Sequence, residues 1–237
     1  GMIEVGEGAH PVFFDYNADG LMDIIIGNYG LYEPSVGPLL YISGLFLYEN
    51  IGTSNAPAYQ LITKDFANIS TINLDVNNSR PTLGLHPAFA DLDGDNDMDM
   101  ILGDYNGFLH YFTNTAGAGN TAVFALTDPE YLHIDVGNDA TPLLHDIDND
   151  GLKDLLIGKK AGTFSYYKNS GTTSIPNFSL VTTSFGNVTT KRTSDISGNS
   201  NPVIIDSAGT TQLFSGSKSG NIYKFGKSPF IQLYKYY

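Results

Sequence analysis

The sequence predicts an all-β fold of four repeated units, each a four-stranded antiparallel sheet, and three observations carry that prediction. Three segments superpose without gaps: HPVFFDYNADGLMDIIIG from His10, HPAFADLDGDNDMDMILG from His86 and TPLLHDIDNDGLKDLLIG from Thr141. A fourth, NPVIIDSAGTTQLFSG from Asn201, keeps the flanks but is shorter and has lost the aspartates. Helical periodicity is nowhere sustained, while Ile, Val, Phe, Tyr and Thr fill the segments between turn residues.

Taken in order, the first unit predicts strands at Val12–Phe14, at Ile24–Ile26, within Leu45–Glu49 and at Tyr59–Ile62. The first two strands of each unit are apolar on nearly consecutive positions, the pattern of inner strands covered on both faces. The third is aromatic and ends in asparagine: LFLYEN to Asn50, FLHYFTN to Asn114, TFSYYKN to Asn169. Small polar residues follow, then PAYQL, AVFAL, PNFSL or SPFIQL as the fourth strand. Four short strands repeated at this length stack as the blades of a β-propeller, with blades over 10–62, 86–127, 141–182 and 201–234. IEVGEGAHP near the start matches IDVGNDATP from Ile134, so residues 1–9, through Ile3–Val5, are candidates to complete the last blade. A closed four-bladed ring and part of a larger propeller fit this phase equally.

Between the first two strands lies an acidic loop of pattern D-x-[DN]-x-D-[GN]-x-x-D. Its side chains are Asp15, Asn17, Asp19 and Asp23 in the first copy, Asp91, Asp93, Asp95 and Asp99 in the second, and Asp146, Asp148, Asp150 and Asp154 in the third. Alternate residues of a tight loop point inward, so the oxygens at positions one, three and five converge, and the seventh residue, Leu21, Asp97 or Leu152, offers its carbonyl. An all-oxygen cage of this kind suits a hard divalent cation, calcium ahead of magnesium by ligand number and loop flexibility. About three calcium ions are expected. Position six is Gly20, Asn96 or Gly151, residue types that reach positive φ. The Asp97 side chain is an extra charge expected to face solvent. An EF-hand would place Glu at position twelve and a helix beyond it; Ile26, Leu102 and Ile157 stand there instead. A solvated acidic turn is the plainer alternative, but turn propensity alone does not ask for aspartate at position nine three times.

The motif D-x-D-x-D-G-x-x-D-L-L-I-G, repeated through nearly the whole chain, resembles the FG-GAP or VCBS repeat family, whose repeats build the β-propeller of integrin α subunits and of many bacterial surface proteins. The resemblance implies calcium on the loop residues just named, a secreted or cell-surface location, and a binding or adhesion module that recognises a protein or a glycan. Some calcium-dependent propellers are polysaccharide lyases, so a carbohydrate-active lyase or hydrolase is the rival reading. The fourth copy departs from the family pattern: Asp206 survives, but Ser207, Ala208, Gly209 and Thr210 cannot form the cage, and a plain turn is expected.

Composition narrows the partners. Twenty-five acidic residues against 12 basic ones give a net charge of −13, which disfavours nucleic acid and anionic membrane surfaces. There is no cysteine, hence no disulfide framework or thiolate chemistry. No apolar run approaches the roughly 18 residues that span a bilayer, and the N-terminus lacks the basic and apolar regions of a signal peptide. No metalloprotease, nucleophile-elbow or phosphate-loop motif occurs; FGKS from Phe225 lacks the upstream glycine. Catalysis is not the favoured reading.

Antiparallel blades place the loops joining strands one to two and three to four on one face, and the remaining loops on the other. Recognition is expected opposite the metal loops. The insertion from Leu31 to Ser43, LYEPSVGPLLYIS, is there a candidate contact surface or channel plug, and Arg80, Lys159, Lys160 and Arg192 are the expected basic groups. His10 and His86 occupy equivalent positions before proline, which suggests a repeated structural role. His145 adjoins Asp146 and is read as a packing residue, while His110 and His133 have no identifiable partner.

Overall fold

The computed structural model describes residues 3–32, 41–74, 83–207, 210–227 and 233–236. Four four-stranded antiparallel sheets form a four-bladed β-propeller. The first strands are His10–Phe14, His86–Ala90, Thr141–His145 and Asn201–Ser207. The second strands are Asp23–Gly27, Asp99–Gly103, Asp154–Gly158 and Thr210–Gly216. The third are Leu45–Asn50, Leu109–Asn114, Phe164–Asn169 and Ile222–Lys227, and the fourth Tyr59–Thr63, Phe124–Asp128, Phe178–Thr182 and Leu233–Tyr236. In every blade the strands pair in chain order.

The second strand is the buried one: in the second and third blades every residue from Asp99 to Gly103 and from Asp154 to Gly158 is buried. The first strand departs from expectation in the first and last blades, where residues that border the axial channel stay exposed. Phe13 is 63% exposed and Val203 49%. Apolar clusters fill the space between blades. Phe14, Leu85, Met100, Leu102 and Phe112 join the first blade to the second, where Phe14 stacks on Phe89 with ring centroids 4.4 Å apart. Leu92, Ile101, Tyr131, Leu155 and Ile157 join the second to the third, and Leu156, Phe164, Leu213 and Phe225 the third to the fourth.

The glycine that closes each second strand has a steric cause. A Cβ on Gly27, Gly103 or Gly158 would come within 1.9, 2.1 or 2.2 Å of the carbonyl oxygens of Leu85, Ala140 and Ser200, where the linker into the next blade crosses. At Gly216, in the last blade, nothing among the described residues lies within 4 Å of that position. The ring closes through side chains instead, with Asn201 Nδ2 3.1 Å from His10 Nδ1.

Residues 3–9 do not extend the last sheet among the described residues. Leu233–Tyr236 is its fourth strand, while Glu7 bridges Gly30 and Val5 packs on Ile26, Phe46 and Tyr48 of the first blade. Short 3₁₀ turns, not foreseen from periodicity, follow the fourth strands at Phe66–Thr71, Tyr131–His133 and Phe185–Asn187. Each opens on an aromatic residue that packs against a tyrosine next to an acidic loop: Phe66 on Tyr16, Tyr131 on Tyr111, Phe185 on Tyr166. Of the first-blade insertion, Leu31–Tyr32 pairs with Tyr41–Ile42; its tip, 33–40, and Arg80 lie outside the described residues.

Candidate metal centres

The three acidic loops fold onto their own carboxylates. At position one, Asp15 accepts the backbone N–H groups of Asp19 and Gly20 at 3.1 and 2.9 Å, and Asp146 those of Asp150 and Gly151 at 3.0 Å each. Asp91 accepts from Gly94 and Asn96 at 2.7 and 3.1 Å. At position three, Asn17 and Asp93 accept from Asp19 and Asp95. At position five, Asp19, Asp95 and Asp150 accept from the seventh residues, Leu21, Asp97 and Leu152, at 2.8 to 3.0 Å. Position six has φ of 84° at Gly20, 67° at Asn96 and 92° at Gly151, the left-handed turn that glycine and asparagine tolerate. Position four is left-handed as well, at Ala18, Gly94 and Asn149, which the motif did not announce.

Position nine has a second role. Asp23, Asp99 and Asp154 are fully buried, and each carboxylate clamps two backbone N–H groups. One belongs to the second loop residue, Tyr16, Leu92 or Ile147, at 3.0 to 3.1 Å. The other belongs to the asparagine ending the third strand, Asn50, Asn114 or Asn169, at 2.7 to 2.9 Å. Tyr111 and Tyr166 hydroxyls donate to Asp99 and Asp154. Burial raises all three carboxyls above the usual range, and the N–H donors pull them back. The strand-ending asparagines continue the chain of bonds. Each Oδ1 accepts two N–H groups of the loop to the fourth strand: Gly52 and Ala58, Ala116 and Val123, Gly171 and Asn177.

The sites are not equivalent. In the second, oxygens of Asp91, Asp93 and Asp95 lie within 4.8 Å of one another. Asp97 does not face solvent there: it is 7% exposed, its Oδ2 accepts Gly117 N–H at 2.8 Å, and its Oδ1 has no hydrogen-bond partner among the described residues. The loop backbone turns it under the neighbouring 116–117 segment, and burial, then the Asp95 charge, pushes its carboxyl up to about 6. In the third, oxygens of Asp146, Asp148 and Asp154 converge within 4.8 Å. Here Lys168 Nζ bonds both Asp148 and Asp150, the latter at 3.0 Å. In the first, Asn17 replaces an acid, but Glu49 lies 3.4 Å from Asn17 Nδ2 and accepts the Tyr16 hydroxyl at 3.2 Å. Glu49 and Lys168 occupy matching positions one residue before the strand-ending asparagine, a substitution pattern visible in the sequence. The donor sets are all oxygen and fit a hard divalent cation, most fully in the second loop, where Asp91, Asp93, Asp95, Asp99 and the seventh-residue carbonyl would hold it. In the fourth blade, first and second strands pair as far as Ser207 with Thr210, and Asp206 instead takes Thr211 Oγ1 and lies 3.1 Å from His145 Nε2.

The opposite face carries the remaining polar groups. His10 and His86 meet edge to face at the axis, ring centroids 3.7 Å apart. Burial lowers His10 to about 4, and burial plus His10 lowers His86 well below its ordinary value. Lys159 turns inward to Ser165 Oγ and the Thr183 carbonyl, whereas Lys160 and Lys218, the latter not anticipated, line the channel mouth. His110 is buried against the Pro129 carbonyl at 2.6 Å, with Asp104 at 3.7 Å, and His133 lies 3.8 Å from Glu130.

Fold and loops together define a four-bladed β-propeller with acidic hairpin loops on one face. No family model matches the chain, and no curated protein matches it.

Proposed function

We propose that this chain is a calcium-stabilised propeller whose function is binding, with a protein or a glycan as ligand. The observation that carries the metal part is the second loop, where oxygens of the three carboxylates Asp91, Asp93 and Asp95 converge within 4.8 Å. Bound calcium would relieve the repulsion among these carboxylates. The loops also join the innermost strands of their blades, so an ion there would stiffen the ring. The surface or secreted location implied by the FG-GAP or VCBS resemblance would supply calcium at the level where extracellular modules work. Support for binding comes from the division of faces: metal loops on one side, and on the other a polar channel mouth built on rigid strand ends.

Calorimetric titration and thermal unfolding, with calcium and with chelator, test the metal. Saturating calcium at a hundredfold its Kd is expected to add about 2.7 kcal/mol of stability; a melting temperature unmoved by chelator overturns it. Glycan-array and partner-capture assays test the binding role, and release of ultraviolet-absorbing unsaturated product from a uronate polymer would replace it with lyase activity.

A further inference from the structure

We propose that the polar mouth of the axial channel is a binding site for a neutral saccharide of one or two rings, a ligand class that rests on the reading of this chain as a binding module. The first residues of the four first strands, His10, His86, Thr141 and Asn201, lie at one level around the axis and border two cavities. On the side of the aspartate loops the channel, about 280 Å³, is lined by apolar side chains such as Val12, Phe89 and Leu144. On the other side a cavity of about 390 Å³ opens to solvent between Tyr29, Tyr105, Asp139, Lys160, Asn199 and Lys218. That volume is at the small end of ligand pockets and suits a compact ligand better than a polymer or a protein loop.

The charges of the mouth balance in number, Lys160 and Lys218 against Glu7 and Asp139. Lys160 Nζ donates to the Tyr105 hydroxyl at 2.9 Å, and Asn199 Nδ2 donates to Asp139 Oδ2 at 2.7 Å. Burial raises the Asp139 carboxyl above its usual range, and Lys160, Lys218 and the Asn199 amide pull it back toward the ionised form. A charged ligand would have to break this compensation. Two neutral groups are left over: among the described residues His86 Nδ1 and Asn199 Oδ1 are buried without a hydrogen-bond partner, and His86 is only 7% exposed. Because the Asn199 amide nitrogen is committed to Asp139, its oxygen calls for a donor. A neutral imidazole nitrogen calls for a donor or an acceptor according to its tautomer. Hydroxyl groups give and accept, so a polyol answers both, and the Tyr29 and Tyr105 rings in the wall add apolar surface for sugar C–H groups. A metal fits less well, since among the described residues the converging groups of three or more acids or histidines lie in the aspartate loops and not at this mouth.

The test uses the full chain loaded with calcium. Glucose, galactose, mannose, N-acetylglucosamine, lactose and cellobiose are titrated by calorimetry and by saturation-transfer NMR, with glycine and inorganic phosphate as charged probes. At least one sugar is expected to bind in the millimolar range or tighter, to shift the His86 imidazole nitrogen signals, and to lose about tenfold in affinity in Asn199→Ala, the cost of one ligand hydrogen bond in a buried site. Asn199→Ala is checked for an unchanged melting temperature, and the His86 shift is read on the unmodified protein, so a folding defect cannot mimic the result. Sugar binding that leaves His86 and Asn199→Ala unaffected overturns the axial site while sparing the binding-module reading. Glycine or phosphate binding there in place of sugars overturns the ligand class. Absence of binding by every sugar overturns the proposal, and protein capture then judges the module reading separately.

Discussion

Asp99 accepts the backbone N–H of Asn114 at 2.9 Å, and through that bond the acidic loop of the second blade is tied to the far end of its third strand. The same carboxylate holds Leu92 N–H and the Tyr111 hydroxyl, so it is a structural clamp before any ion arrives. Asp99→Ala is therefore expected to lower stability by about 2 to 3 kcal/mol even in chelator, since it strands buried donors. Asp93→Ala, at an exposed ligand position, is expected to abolish calcium stabilisation at that loop and to change little in chelator. Urea unfolding of both variants, with and without calcium, separates the two roles.

Lys168 puts a protein cation on Asp148 and Asp150 where an ion would otherwise draw them together. Lys168→Met should tighten calcium binding at the third loop and leave the second unchanged. Calorimetry on the variant checks this; an unchanged third affinity would show that the ammonium simply swings away.

Gly103 passes under the linker to the third blade, and Gly216 has open space at the matching place. Overpacking against backbone costs about 1 to 3 kcal/mol, so Gly103→Ala should lower the unfolding free energy by that much while Gly216→Ala stays near neutral. Equal effects in the two variants would mean that helix-free strand propensity, not the interblade crossing, sets the need for glycine.

The paired histidines give a pH dependence of definite sign. In the unfolded chain they take up protons near 6.5, whereas in the fold His10 does so only near 4 and His86 is also lowered. Their contribution to stability is thus full above 6.5 and is lost as pH falls toward 4, because the unfolded state binds more protons. The raised carboxyls of Asp23, Asp99 and Asp154 act in the opposite sense. The histidine part is read as the difference between the wild type and a His10→Asn, His86→Thr double variant, which copies the residues of the other two blades. A difference that does not shrink on acidification would contradict it.

Much of the fold was legible in the residues because a propeller is built from local, repeated units. Strand positions, turn chemistry, the left-handed sixth position and the loss of the cage in the fourth copy all follow from neighbours a few positions apart. Less legible were features made by crossings between distant segments. Asp97 looked solvent-facing until the 116–117 segment covered it, and the position-nine aspartates looked like ligands alone until the ends of the third strands met them.

The sequence by itself determined an all-β chain of four blades, with acidic hairpin loops at matching places in three of them, since short apolar runs and turn residues act over single strands and hairpins. Only the tertiary structure decided that the ring closes through His10 and Asn201, and that Asp139, Lys160, Asn199 and Lys218 gather around one axis. Contacts across such separations depend on how blades pack, through the Phe14 and Phe89 stack and the glycine crossings, and no local pattern encodes them.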